Sequence, residues 1–260
     1  EQKELSEVHS ASLSNFHSQT KTVRNNVRYS DWIAGVSEPK SKPTLDDLES
    51  VLATRILIAR DLANKQMSFA LGPLSDEDLE SRDSSALRGA AEIFLHHENS
   101  LPYYFGRDRL FSLATGNVEE LLALAAALFE GMKAKQAVRR QQQSALTPKE
   151  QERRLLTAIE KRTEFIPSSH SEGRRALAIL RAITTFCRDR TFLPNAPYAP
   201  GVTGVRLSTR ELRRLEEQPQ PEDTLLTRVL SECVAENLLV PRETQPSTSR
   251  EGGTVFYLNR

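Results

Sequence analysis

Apolar residues recur at the three- and four-residue spacing of helices through most of this chain. From residue 45 to residue 63 they form one such stripe, and Thr44 with Asp47 three residues on predicts a helix start of the capping-box type. A second stripe over 87–95 predicts another helix with one face on a core. The pattern of the chain is therefore mainly helical.

The stretch LATGNVEELLALAAALFEG contains a clear helix start. Asn117 is a natural N-cap and Glu120 is its partner three residues on, because both side chains can bond N–H groups that a first helical turn leaves unpaired. The apolar residues after the cap keep helical spacing. The expected buried stripe consists of Leu121, Leu124, Ala125, Leu128 and Phe129.

Further start and stop signals follow in the second half. Thr147 as N-cap predicts a helix over 148–164. Pro167 is expected to lie beyond its end, because proline lacks the N–H that a helix interior needs. Ser169 with Glu172 is expected to cap the next helix.

After the connector NAPYAPGVTG the pattern changes to short elements. It predicts a strand over 202–207, a helix that begins at Ser208, a helix over 221–237, and two closing β segments around LLVPR and TVFYL. Together with the preceding helix, this is the element order of a winged-helix domain, in which the closing hairpin is the wing and helix 221–237 takes the recognition position. The predicted fold is mainly α: a helical bundle followed by a winged-helix domain with a small β-hairpin wing.

Composition predicts neither a membrane span nor a metal site. No run approaches the 18 apolar residues that a spanning helix needs, so we expect no membrane contact and a cytoplasmic location. Cys187 and Cys233 fall on apolar helix faces, where reduced core thiols are the favoured interpretation and a disulfide is the alternative. The neighbours His96, His97 and Glu98 do not share a helix face and predict no metal site.

Net charge is zero, but charge is distributed unevenly. Residues 1–132 have 13 Lys and Arg against 20 Asp and Glu, residues 133–214 have 18 against 7, and residues 215–260 have 4 against 8. The middle segment, called the basic segment below, thus has a net charge of +11 between two acidic flanks. A cationic excess of this size points to a surface that contacts phosphate groups.

Motifs of nucleotide-binding and hydrolytic enzymes do not occur in the sequence. None of the 11 glycines is followed by lysine, so there is no GxxxxGK[ST] phosphate loop, and GxGxxG, HExxH and GxSxG are also missing. No pattern combines a nucleophile, a base and an orienting group. We therefore predict no enzymatic activity for the chain alone; an enzyme with an unrecognised site is the alternative.

Several stretches resemble a known family. YYFGRDRLFSLATGNVEELLALAAALFE resembles the helical lid of AAA+ (P-loop) ATPases of the origin-recognition and replication-licensing type, in which a Gly-Asn pair opens a lid helix after a short helix. NAPYAPGVTGVRLS and the terminal VFYLNR resemble the C-terminal winged-helix region of bacterial relatives of those ATPases, some of them suspected of roles in phage defence. The resemblance covers residues 43–260.

The resemblance implies a lid and a winged helix without a nucleotide-binding core. Residues 43–145 would be a lid-like helical domain, and residues 146–260 a winged-helix domain with a leading helix. Residues 1–42, with eight serines and only a weak helical pattern, are expected to be loosely ordered apart from an anchor near Trp32 and Ile33. ATP and Mg²⁺ are implied only for the missing core, and no cofactor is expected in this chain.

The start of the lid-like helix is the candidate nucleotide-sensing position. In lids of this kind an arginine commonly reaches the γ-phosphate, and the matching positions here are Glu119 and Glu120, whose carboxylates would repel phosphate. Asn117 and Glu119 are the candidate nucleotide-sensing residues that the resemblance implies. Plain helix capping is the other interpretation of Asn117.

Cations of the basic segment are the candidate nucleic-acid contacts. The expected partner is DNA, bound without sequence preference through phosphates, in replication-like or phage-defence DNA transactions. The presumed outward face of helix 221–237 has Arg228, Glu232 and Glu236, and carboxylates near phosphates lower affinity, so we expect the basic helices to make the contacts. The candidate residues are Arg139, Arg140, Arg153, Arg154, Lys161, Arg162, Arg174, Arg175, Arg210, Arg213 and Arg214.

The competing interpretation is a protein-interaction or oligomerisation module of an ATPase assembly with no direct DNA contact. Solvated helix faces with oppositely charged partners one turn away are the ordinary explanation of charge pairs. Under either interpretation a protein partner or an ATPase core is expected.

Overall fold

The computed structural model of the protein describes residues 2–65, 85–114, 117–139, 145–217, 221–245 and 252–258. Helices within these ranges are α1 (Gln2–Thr20), α2 (Ser30–Ser37), α3 (Leu45–Lys65), α4 (Ser85–Glu98), α5 (Arg107–Ala114), α6 (Val118–Arg139), α7 (Pro148–Ser169), α8 (Gly173–Thr191), α9 (Thr209–Glu217) and α10 (Pro221–Ala235). The strands are β1 (Gly204–Ser208), β2 (Leu239–Thr244) and β3 (Gly253–Leu258).

The predicted fold class is confirmed. The described residues are mainly helical, and one small antiparallel sheet lies near the C-terminus with the strand order β1-β3-β2. The elements from α8 onward follow the predicted order of helix, strand, helix, helix, strand and strand. None of the helices in the described ranges is long and apolar enough to cross a membrane.

The chain divides into two compact units. The first comprises Glu1–Leu101 with Arg188–Val202, and the second comprises Pro102–Cys187 with Thr203–Arg260. These limits differ from the predicted boundaries at residues 42 and 145, because the N-terminal helices share one core with α3 and α4.

The N-terminal segment differs from its prediction as a loosely ordered region. Residues 2–20 form α1, and Leu13 and Phe16 are buried in the core of the first unit. Trp32 and Ile33 are also buried there, which confirms the predicted anchor. Packing of α1 on α3 supplies the stability that its weak local pattern does not, as is usual for helices in proteins.

Two ion pairs with little exposure stabilise the first unit. Asp61 accepts from Arg28 Nε at 2.8 Å, from Arg28 Nη2 at 3.0 Å and from the hydroxyl of Tyr29 at 2.8 Å. Burial and the bond to Asp61 raise the pKa of Tyr29 to about 12. The guanidinium of Arg55 donates to both carboxylate oxygens of Glu98, at 2.8 and 2.5 Å.

Capping boxes form at both predicted helix starts. At α3, the Asp47 carboxylate accepts from Thr44 N at 2.8 Å, and Asp47 N donates to Thr44 Oγ1 at 3.3 Å. At α7, Glu150 accepts from Thr147 N at 2.7 Å, and Glu150 N donates to Thr147 Oγ1 at 3.3 Å. Short-range signals of this kind therefore determine where these helices begin.

The predicted end of α7 is wrong. The helix continues through Pro167 to Ser169, and the predicted cap Ser169 donates its hydroxyl to the Phe165 carbonyl inside this helix. A single proline removes only one backbone hydrogen bond, and the last turn is held by the buried Ile166.

The small core of the second unit joins α5, α6 and α7 through Leu113, Leu124 and Leu155. Phe129 of α6 was expected in the buried stripe, but 58% of its surface is exposed, so that part of the prediction is wrong. Residues 121–129 of α6 are all apolar and so surround the helix, but α5 and α7 cover only part of its circumference.

Candidate nucleic-acid interface

An open groove between α6 and α7 collects several cations of the basic segment. Its lining includes Lys135 from α6 and Glu150, Arg153 and Arg154 from α7. Lys135 Nζ donates to Glu150 Oε2 at 2.8 Å and to the carbonyl of Ala145 at 2.9 Å. Lys135, with the Thr147 backbone N–H, lowers the pKa of Glu150 to about 2, so this carboxylate is anionic and already bound to Lys135.

Arg154 is positioned by a glycine of the neighbouring helix. A β-carbon at Gly131 would lie 2.8 Å from Arg154 Nε, so the guanidinium rests against α6 in space that a side chain at position 131 would take. Arg153 is exposed beside it. The sequence signal for this arrangement is a glycine inside a long helix, which usually has a packing or functional reason; sequence reasoning included neither Gly131 nor Lys135.

Other predicted contacts are distributed over three helices. Lys161 lies exposed on α7, Arg174 on α8, and Arg210 and Arg213 on α9. Arg214 is exposed on α9 as well. The side chain of Arg139 and all of Arg140 lie outside the described residues.

Two of the predicted contacts are engaged in ion pairs instead. Arg162 pairs with the carboxylate of Glu120, which is 8% exposed. Arg175 Nη1 donates to Glu172 Oε2 at 2.5 Å. Their guanidinium groups are less available to phosphate than the sequence suggested, because each already has a carboxylate partner.

Eight other cations of the basic segment lack a partner among the described residues. Within the described residues their side chains have no hydrogen-bond, ion-pair or ring partner: Lys149, Arg153, Arg154, Lys161, Arg174, Arg181, Arg210 and Arg213. The surplus of charge read from the sequence is therefore not neutralised by folding in this part of the chain.

The predicted outward face of α10 is exposed at Arg228 and Glu236, as expected, but it also contacts the residues before α8. Glu232 accepts from Ser171 Oγ at 3.0 Å and from Glu172 N at 2.9 Å, just before α8 begins. Arg228 Nη2 lies 2.5 Å from Glu172 Oε1, and Glu236 Oε2 lies 3.7 Å from His170 Nδ1. Glu232 thus accepts from the N–H just before the positive N-terminal end of α8, an internal partner for this carboxylate that the sequence did not predict.

Asn117 acts as the helix cap of α6. Its Oδ1 accepts from Glu119 N at 3.0 Å and from Glu120 N at 3.4 Å. Glu120 does not complete the expected box, because its carboxylate pairs with Arg162, and Asn117 N donates to the Ala114 carbonyl. Glu119 is exposed in the first turn. Capping accounts for Asn117 without a ligand.

The described residues contain no metal-holding cluster and two unbridged cysteines. No cluster of three or more His, Cys, Asp or Glu side chains there could hold a metal ion. Cys187 and Cys233 are free and buried, which confirms the expected core thiols, and burial raises the pKa of both.

Comparison of the chain with protein-family models, with curated proteins and with solved structures gave no match in any of the three.

Proposed function

We propose that this protein binds nucleic acid through phosphate contacts and without sequence preference. The observation that carries the proposal is the set of eight cations without partners, all from the basic segment. Uncompensated Lys and Arg neutralise phosphates and release condensed counterions, which drives sequence-independent binding.

The α6–α7 groove supplies the first contacts in this proposal. Arg153 and Arg154 project into it without a carboxylate partner among the described residues, while Glu150 is bound by Lys135. A guanidinium donates two parallel hydrogen bonds to a phosphate, so two adjacent arginines hold a nucleic-acid backbone better than mobile lysines would. Exposed cations of α7, α8 and α9 extend the contact.

Salt dependence of duplex binding tests the proposal. We expect the double variant Arg153→Ala/Arg154→Ala to bind random-sequence duplex DNA more weakly and to lower the slope of log affinity against log salt by about 2, because each lost phosphate contact contributes about 0.9. The measurement is fluorescence anisotropy between about 50 and about 200 mM salt.

The matched control removes the same charge elsewhere. Lys21 and Arg24 are exposed cations of the acidic first segment, and Lys21→Ala/Arg24→Ala should leave the slope within about 0.5 of the wild-type value. Equal effects of the two double variants would show that net charge, rather than the α6–α7 groove, governs binding, and would contradict the proposal.

A second candidate function, a protein-interaction module, is favoured by a different observation. One face of α6 exposes Val118, Leu122 and Phe129, at 67%, 64% and 58% of their surface. These positions follow helical spacing, and clustered exposed apolar side chains are typical of protein contacts. Leu122→Glu with Phe129→Glu should then abolish an association seen by analytical ultracentrifugation or native mass spectrometry, and should leave duplex binding unchanged.

The resemblance to origin-recognition-type ATPases suggests a setting for either function. In this proposal the chain works in replication-like or phage-defence DNA transactions beside an ATPase core that binds ATP and Mg²⁺. Native mass spectrometry of the complex purified from its source would show such a core with the chain; recovery of the chain alone under gentle conditions would speak against it.

A further inference from the structure

Two arginines lie on either side of the central strand β3. Arg206 of β1 and Arg242 of β2 both pair in register with Val255. Directly paired residues have their side chains on the same face of a sheet, so both guanidinium groups lie on one face, roughly 10 Å apart at the backbone. Both residues are exposed.

Tyr257 is the aromatic residue of this face. It lies two residues along β3 from Val255, and the guanidinium carbon of Arg242 is 5.9 Å from its ring centroid. Its partner on β1 is Gly204, where a β-carbon would overlap the carbonyl oxygen of Phe256. Position 204 therefore needs glycine, and no β1 side chain covers that side of the ring.

The opposite face of the sheet is buried at Leu239 and Phe256. Phe256 is 8% exposed, α9 contacts β1 and β3, and α10 contacts β2. Arg206, Arg242, Val255 and Tyr257 belong to the other face, which we call the outer sheet face. On the outer sheet face Arg206 and Arg242 are exposed, and Val255 and Tyr257 are partly exposed.

Nearby acids do not neutralise the outer sheet face. Glu211 is a nearby acid whose pKa is lowered mainly by its hydrogen bonds with Ser208, and the charges of Arg214 and Arg206 lower it further. Arg206 also donates to the Gly252 carbonyl at 3.1 Å. Among the described residues, no carboxylate lies within ion-pair distance of Arg206 or Arg242.

An aromatic ring between cations fits an unpaired base with its neighbouring phosphates. Every base has a face that can stack on an aromatic ring, but a duplex keeps those faces stacked on one another, whereas a single strand exposes them. We propose that the outer sheet face binds a single-stranded segment of nucleic acid, with a base on Tyr257 and adjacent phosphates on Arg206 and Arg242. The inference rests on the proposed function and extends it to a site selective for single strands.

Oligonucleotides of equal length, single-stranded and duplex, test this site by fluorescence anisotropy. Tyr257→Leu keeps an apolar side chain but removes the ring, and should weaken single-strand binding by at least about fivefold, the low end for loss of one stacked base. Duplex binding, which the α6–α7 groove supplies, should change less than about twofold. Tyr198, an exposed tyrosine of the connector, gives the matched control Tyr198→Leu, which should change neither.

A second variant tests the outer sheet face even if Tyr257→Leu does not fold properly. Arg206→Gln/Arg242→Gln should lower the salt slope for single strands by about 1.4, because each phosphate contact on a single strand contributes about 0.7. Unchanged single-strand affinity in both variants, with duplex binding intact, would overturn this inference alone. Failure of the wild-type protein to bind either form would overturn it together with the proposed function.

Discussion

Replacement of Glu232 by alanine tests the internal role of α10. The carboxylate accepts from Ser171 Oγ at 3.0 Å and from the backbone N–H of Glu172 at 2.9 Å. Alanine removes both acceptors and the negative charge at the start of α8. We therefore expect Glu232→Ala to destabilise the second unit.

The expected magnitude follows from two contributions. Loss of a side chain that caps a helix costs about 1 kcal/mol, and loss of a favourable charge at a helix N-terminus costs about 0.3–1 kcal/mol. The free energy of unfolding should fall by about 1–2 kcal/mol, which lowers the melting temperature by roughly 2–8 °C in a domain of this size.

Differential scanning calorimetry measures this change, and Glu236→Ala is the matched control on the same chain segment. Glu236 lies 3.7 Å from His170 Nδ1 with a half-exposed side chain, so its loss should cost less than about 0.5 kcal/mol. Equal melting temperatures for the wild type and Glu232→Ala, or equal losses for the two variants, would refute the capping role. Once folded, Glu232→Ala should bind duplex DNA as the wild type does.

Five further substitutions test other contacts. Asn117→Ala should lower the free energy of unfolding by about 1 kcal/mol and spare ligand binding, as judged by urea denaturation and anisotropy. Asp61→Ala should cost about 3–5 kcal/mol because it leaves Arg28 nearly buried without its partner, whereas Tyr29→Phe should cost about 1–2 kcal/mol in the same denaturation assay. Lys135→Met should raise the pKa of Glu150 from about 2 toward its ordinary 4.5, as measured by carboxyl NMR titration. Because the folded pKa is depressed, the stability that this carboxylate contributes is present above pH 4.5 and is lost as pH falls toward 2. Gly131→Ala should stabilise α6 by up to about 1 kcal/mol in thermal melts, yet weaken duplex binding by displacing Arg154 without a change of charge.

Local signals account for the parts of the fold that could be predicted. Thr147 with Glu150 and Thr44 with Asp47 form their boxes within four residues, so the sequence alone contains both partners. Asn117 is a cap for the same reason. The closing strand over TVFYL also follows from neighbouring residues.

Long-range contacts account for the parts that could not. Arg162 pairs with Glu120, and Glu232 bonds the residues before α8, across separations that no spacing rule covers. Phe129 has the right helical position to be buried, but α5 and α7 cover only part of the surface around α6. Tertiary packing decides each of these outcomes.

The candidate interface was predicted only in outline. Charge counting found the basic segment, because net charge needs no coordinates. It could not tell Arg153 and Arg154, which face a groove, from Arg162 and Arg175, which are paired. The placement of Arg206 and Arg242 on either side of β3 depends on the register of the sheet. That register is determined by residues of several strands that lie far apart in the sequence.

The most direct test of the central claim is the binding of a random-sequence duplex to the wild-type protein, followed by fluorescence anisotropy at about 50 mM salt and again at about 200 mM salt. Phosphate contacts by the unpaired cations predict saturable binding at low salt that weakens by at least tenfold at the higher concentration. A flat titration at about 50 mM salt, or an affinity that does not change with salt, would contradict nucleic-acid binding and favour the protein-interaction module.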